Sequence, residues 1–211
     1  MLRALRNLIG RHEIVHVRRR VLIPNWTMAG VIPPIRPGEP GYSFDRSPYD
    51  ATLEAVVDRF ATSAQRANIL EGLLSYRAAL HAIGAVSGFQ WLDGSFLEHV
   101  EDTEGRPPND IDVVTFFFLP NGVNQLAFFG AIQPLIDSTQ TKLIYSVDAF
   151  GQVLGQQMNG ARIRQVSYWY SLWSHRRDDT WKGYVQVDLD PTNDALSAQL
   201  LAQKRAAGFA P

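Results

Sequence analysis

The sequence predicts an α/β (α+β) fold, a mixed sheet flanked by helices, with an N-terminal arm and loop ahead of it. Segments whose apolar residues recur every three to four positions alternate with short β-branched or aromatic runs, the pattern of helices interleaved with strands. Acidic residues also stand at the ends of those apolar runs, where a sheet meets solvent. The chain has 211 residues, 45% of them hydrophobic, enough for one domain of ordinary size with an appendage. The boundary is expected near residue 49: a basic arm and Pro-rich loop over 1–49, then the main domain over 50–211.

Taken in order, residues 12–22 are β-branched and read as a strand. Residues 24–49 contain Pro24, Pro33, Pro34, Pro37 and Pro40 with Gly38 and Gly41; proline fixes φ and lacks a donor, so an extended surface loop is expected. After Ser47-Pro48 a helix follows, with Leu53, Val56, Val57 and Phe60 on one face. Ser63 reads as the N-cap of a second helix, along which Ile69, Leu70, Leu73, Leu74, Arg77 and Leu80 keep the helical period until Gly84. Gly88-Phe89-Gln90-Trp91-Leu92 is a strand and Asp93-Gly94-Ser95 a tight corner. A polar acidic loop then leads to a strand over Ile111–Leu119. One helix is expected from Asn124 to Asp137, with Pro134 as a stop or kink, then a strand from Leu143 to Gln152. Val166–Trp173 and Gly183–Leu189 read as two further strands, and Thr192–Ala206 as a terminal helix.

Composition narrows the chemistry. With no cysteine, disulfides, thiol nucleophiles and zinc ribbons are excluded. No apolar run reaches the roughly 18 residues that span a bilayer, and the N-terminus lacks the apolar core of a secretion signal; a soluble, cytoplasmic protein with no membrane partner is expected. Formal charge sums to −1, but the sum is a cancellation. Residues 1–20 carry six arginines and one glutamate, a net of +5, whereas residues 93–112 carry seven acids and one arginine, a net of −6.

The chemistry concentrates in Gly94-Ser95, Asp110-Ile111-Asp112 and Asp148. In a strand, residues 110 and 112 point to one face. Two ionised carboxylates side by side at a buried strand's edge repel, and a hard cation such as Mg2+ removes the conflict. Asp148 lies on a later apolar strand that a right-handed crossover sets beside the first. Three carboxylates could hold two ions about 3.5–4 Å apart for in-line phosphoryl chemistry. Gly94 permits close backbone approach, and Ser95 with the following amides could cradle phosphates at a helix N-terminus. Asp188, on another strand, competes with Asp148 as the third acid.

These residues resemble a known signature. Leu92-Asp93-Gly94-Ser95-Phe96 followed by Pro108-Asn109-Asp110-Ile111-Asp112-Val113 is similar to the Gly-Ser corner and Asp-x-Asp strand of the DNA polymerase β-like nucleotidyltransferase superfamily, and more narrowly to an uncharacterised bacterial nucleotidyltransferase-like family. The similarity covers roughly residues 50–155. It implies a nucleotidyltransferase-like sheet and transfer of a nucleotidyl group from an NTP to a hydroxyl acceptor on RNA, protein or a small molecule, in a bacterial toxin–antitoxin or defence setting. Gly94 and Ser95 would bind the nucleotide, Asp110 and Asp112 the Mg2+ or Mn2+, and Asp148 would be metal ligand or general base. The fourteen residues between Ser95 and Asp110 exceed the usual spacing. A second expectation is a catalytically inactive module of the same fold, an antitoxin or partner protein, possible also as a homodimer.

Other motifs carry less. His12-Glu13-Ile14-Val15-His16 satisfies the zincin pattern, but its β-branched, arginine-flanked setting lacks a third ligand; as a strand its histidines stand about 13 Å apart. Arg162, Arg164, His175, Arg176, Arg177 and Lys182, interleaved with Tyr168, Trp169, Tyr170 and Trp173, read either as a grip for a triphosphate or base or as a half-buried strand with a solvated face. Within that group Lys182-Gly183 is the expected phosphate contact. His81 and His99 read as a helix-surface and a loop histidine. No P-loop or nucleophile elbow occurs.

Overall fold

The structure, a computed structural model, describes residues 22–209. The strand expected over 12–22 and the His12–His16 motif lie outside the described residues, Leu22 apart.

A five-stranded mixed sheet runs in the order β1-β5-β2-β3-β4: β1 (Tyr49–Ala51), β2 (Gly88–Asp93), β3 (Ile111–Phe117), β4 (Val147–Val153) and β5 (Val185–Asp188). The pairs β1–β5 and β3–β4 are parallel; β2 is antiparallel to both β3 and β5. This is the α+β arrangement expected from the alternating pattern.

Two helices form the layer behind the sheet, as their apolar spacing predicts. Thr52 caps α1 (Leu53–Phe60) by accepting from the Ala55 N–H, and Leu53, Val56, Val57 and Phe60 are buried. Ser63 caps α2 (Ala64–Ala82) by accepting from the Arg66 N–H. Each fully buried side chain of this kind contributes roughly 1.5–3 kcal/mol, so the apolar stripe, more than propensity, holds each helix. The Tyr76 hydroxyl of α2 donates to Leu135 O and meets Thr115 Oγ1 at 3.3 Å. Arg77 donates to Gln90 Oε1 at 2.6 Å. α2 therefore lies over the sheet face that carries Gln90 and Thr115, and residues of the opposite parity, Asp93 and Asp112 among them, look the other way.

Several elements differ from the expectation. The helix from Asn124 stops early: α4 covers Gln125–Ile132, and a 3-10 turn at Gln133–Leu135 follows with Pro134 in its first turn. A separate helix, α5 (Ser138–Tyr145), then takes up Leu143, Ile144 and Tyr145, which the sequence alone assigns to a strand. Asp137 starts it by accepting from the N–H groups of Thr139 and Gln140, and Ser146 ends it in the left-handed region at φ 55; a strong cap at each end outweighs the β propensity of its last turn. Val166–Trp173 is likewise helical, part of α6 (Gly160–Trp173), capped by Asn159. Trp169 and Trp173, spaced by one helical turn, are its buried residues, and Trp169 packs on Phe150 at 4.8 Å. α6 thus covers part of the face opposite α2. The acidic loop contains a 3-10 turn at Ser95–Leu97 and a single-turn helix, α3 (Val100–Thr103). A 3-10 turn at Pro191–Asn193 leads into α7 (Asp194–Ala206).

The segment ahead of β1 is not a loop lying loosely over the surface. Ile23 and Ile32 belong to the core, and Tyr49 donates to Pro33 O at 2.8 Å. The Trp26 ring donates to Leu97 O at 2.7 Å and stacks on His99 at 4.3 Å.

Candidate functional site

The corner that ends β2 is built by one glycine. Gly94 has φ +84, a region that L side chains rarely adopt, and a Cβ on it would stand 1.9 Å from Asp112 Oδ2. The backbone of the corner therefore lies directly on the Asp112 carboxylate. Ser95 opens only a three-residue 3-10 turn, so the helix N-terminus expected there is absent and any phosphate contact would rest on the corner's own amides.

Arg66 pins the chain just beyond the corner. Fully buried on α2, it donates to Phe96 O at 2.5 Å and Glu98 O at 2.6 Å and grips Glu101 through two bonds of 2.6 and 2.7 Å. An arginine fork satisfied on all sides holds a loop more rigidly than a single bond would.

Strand register sets the carboxylates. Asp93 pairs with Asp112 across β2–β3, and Asp112 with Asp148 across β3–β4. Cross-strand partners share a face, so three aspartates form one row, with Asp110 two residues before Asp112. Burial, together with the charges of Asp93, Asp148 and Asp110, pushes the Asp112 carboxyl up from 3.8 to about 7. Asp148 accepts from the Ser138 hydroxyl at 2.5 Å. The Lys142 ammonium lies 2.7 Å from Asp148 Oδ2 and 3.3 Å from Asp110 Oδ2; the bond to Asp148 holds it above the usual lysine range.

Asp188 stands elsewhere. It pairs with Phe89, four positions along β2 from Asp93, or about 13 Å at strand rise. Asp148, not Asp188, joins the pair.

Lys182 is not at a surface where phosphate could reach it. Its side chain is 5% exposed, and its ammonium donates to Asp93 at 2.8 Å and Glu98 at 3.0 Å. Burial opposes the lysine's charge, but the two carboxylates outweigh it and hold the ammonium above its ordinary range. On the other partner, burial raises Asp93 to about 6 against the pull of Lys182. Arg176 continues the cluster to Glu98 at 3.1 Å and Glu104 at 3.0 Å. Of the late basic group, Lys182 and Arg176 thus brace the corner from beneath. His81 is partly buried against Leu189 O at 2.8 Å, and His99 is the residue under Trp26.

A family model described as a family of unknown function, DUF6932, matches residues 24–188. The chain belongs to that family. No curated protein and no solved structure matches it. The DUF6932 match begins in the Pro-rich segment pinned to the corner by Trp26 and ends on the last residue of β5, so it takes in the whole aspartate row.

Among the described residues, no set of three or more acidic or histidine side chains is already gathered around one ion position. The donor chemistry nonetheless fits a hard divalent cation. Asp110, Asp112 and Asp148 offer carboxylate oxygens, and Asp112 carries a charge conflict that such a cation would remove. Three participants are not evident from the sequence: Asp93, which reads only as a turn residue, and Ser138 and Lys142, hidden in a helix that reads partly as strand. Asp137 ahead of Ser-Thr-Gln is the available signal for that helix.

Proposed function

We propose that this chain is a metal-dependent nucleotidyltransferase that moves a nucleotidyl group from an NTP to a hydroxyl acceptor. The observation that carries the reading is Asp112, flanked by Asp148 on one side and covered by the Gly94 backbone on the other. A glycine corner lying on an Asp-x-Asp strand, with a third acid beside it, gives phosphate-approaching amides and oxygen ligands at one point. Asp110, Asp112 and Asp148 would hold Mg2+ or Mn2+. Bound there, such ions supply activation of the acceptor oxygen and neutralisation of the leaving pyrophosphate. Gly94 and Ser95 bring their backbone N–H groups toward the phosphates, and Lys182 acts on them from below by fixing Asp93. Asp148, oriented by Ser138 and Lys142, serves as metal ligand or as acceptor of the hydroxyl proton.

The test is incubation with α-labelled NTPs and Mg2+ or Mn2+, scoring label on RNA, protein, small molecules and the chain itself. Transfer that is lost in Asp110→Asn plus Asp112→Asn supports the reading; transfer unchanged in that double variant sinks it.

One observation favours a second reading, a non-catalytic module such as an antitoxin or partner protein. The Lys142 ammonium already meets Asp110 and Asp148, so two of the three acids share a cationic partner without any ion. A folded chain that shows no affinity for Mn2+ and none for nucleotides would favour this module over the enzyme.

No helix among the described residues is long and apolar enough to cross a membrane.

A further inference from the structure

α5 presents Ser138 and Lys142 four residues apart, on one helical face, and both reach Asp148. The Lys142 ammonium extends on to Asp110, so one cation spans two carboxylates, one just before β3 and one on β4. Asp112, between them in the set, pairs with no lysine, arginine or histidine among the described residues. The two lysines of this region differ in a way that bears on function. Lys182 is 5% exposed and enclosed by two acids, whereas the Lys142 side chain is 44% exposed. A buried lysine cannot leave its partners without stranding them; a half-exposed one can swing into water at little cost, because exposed ion pairs are weak.

We infer that the Lys142 ammonium is a built-in counter-ion of the aspartate site, which a divalent cation displaces in order to bind Asp110 and Asp148. The inference rests on the metal-dependent reading above and adds the residue that controls loading. An ammonium only donates hydrogen bonds and cannot share carboxylate oxygens with a metal ion at bonding distance without repelling it. With the ion absent, Lys142 keeps Asp110 and Asp148 from splaying apart. When the ion arrives, its affinity is set by an exchange of cations rather than by simple addition.

The experiment is a Mn2+ titration of the full chain, with free Mn2+ followed by electron paramagnetic resonance. It compares the wild type, Lys142→Met, Lys142→Gln, Lys142→Arg and the double variant Asp110→Asn plus Asp112→Asn. Removal of the competing charge should tighten Mn2+ binding by about tenfold in Lys142→Met and Lys142→Gln, with Lys142→Arg no tighter than the wild type. Circular dichroism establishes folding, and Lys142→Gln is the readout should Lys142→Met not fold. Neutral variants that bind Mn2+ no better than the wild type overturn the inference; if the wild type still binds and the double aspartate variant does not, the metal-site reading stands without it. Absence of Mn2+ binding in every variant removes that reading, and the inference falls with it.

Discussion

Gly94 and Asp112 are in direct backbone-to-carboxylate contact: a Cβ at residue 94 would lie 1.9 Å from Asp112 Oδ2 and 2.9 Å from its Cγ. The contact joins the end of β2 to the middle acid of the site, so the corner and the Asp-x-Asp strand move as one piece. Gly94→Ala would add both a steric overlap and a left-handed backbone strain. The expected cost is about 2–4 kcal/mol, read as a lower urea midpoint, together with weakened Mn2+ binding as Asp112 is pushed aside. Gly105→Ala is the control, since its added Cβ meets nothing within 4 Å although it shares a positive φ; it should cost only the backbone strain and leave Mn2+ binding alone.

The aspartate row makes stability depend on pH in an unusual sense for carboxylates. Asp112 titrates near 7 and Asp93 near 6 in the folded chain, against an ordinary 3.8. Between roughly pH 4 and pH 7 the folded state therefore binds more protons than the unfolded state, and stability rises as pH falls through that window. Above about pH 7 neither state holds the Asp112 proton and the folded chain carries the full repulsion. Metal-free protein should gain on the order of 1–3 kcal/mol between pH 8 and pH 5.5, measured by urea denaturation in chelator. Asp112→Asn should flatten the profile and be the more stable protein at pH 8.

Lys182 gives a sharp contrast between support and substrate contact. Lys182→Met leaves Asp93 and Glu98 facing each other in a buried space. Breaking a buried pair in this way costs about 3–5 kcal/mol, and the cost should shrink toward pH 5 as Asp93 takes up a proton. A lysine that bound phosphate would instead lower nucleotide affinity with little change in stability. Denaturation curves at pH 8 and pH 5, set beside nucleotide titrations, separate the two.

The features legible in the chain are those set by local chemistry. Ser63 as a helix start, the Gly94 corner and the apolar run from Ile111 all depend on residues within a turn or a strand of one another. The features hidden in it depend on distance in sequence or on competition between local signals. Lys182 meets Asp93 and Glu98 from more than 80 positions away, and nothing in Trp181-Lys182-Gly183 marks that lysine as buried. Leu143, Ile144 and Tyr145 carry β propensity, yet Asp137 and Ser146 cap a helix around them, and Lys142 enters the site through that helix. The tryptophans of α6 mislead for the same reason: Trp169 and Trp173 satisfy a helical spacing as well as an aromatic strand.

Arg77 shows a charged residue on an apolar stripe acting as a clamp. It is 1% exposed, grips Asp194 through bonds of 2.8 and 2.9 Å and donates to Gln90 at 2.6 Å. It thereby ties α2 to the start of α7 and to β2. Arg77→Met should cost about 2–4 kcal/mol, because Gln90 and Asp194 lose their charged partner. Hydrogen exchange should show α7 losing protection before the sheet does.

Asp148 and Asp188 are equal candidates by residue type, and register separates them. Asp148 lies beside Asp112 in register on β4 and accepts from the Ser138 hydroxyl. Asp188 lies opposite Phe89 and accepts from the Asp190 N–H at 2.8 Å. Charge count and ligand number set divalent affinity, so Asp148→Asn should weaken Mn2+ binding by at least about tenfold, and Asp188→Asn should leave it within error of the wild type. The asparagine keeps the shape and most hydrogen bonds of each site, which isolates the effect of charge. Equal losses in the two variants would mean that Mn2+ responds to the general negative field of the chain and not to the row at Asp112. A loss confined to Asp148→Asn would instead tie the ion to the β3–β4 pair, where Asp148 stands in register with Asp112 and, unlike Asp93, is not enclosed with a buried lysine.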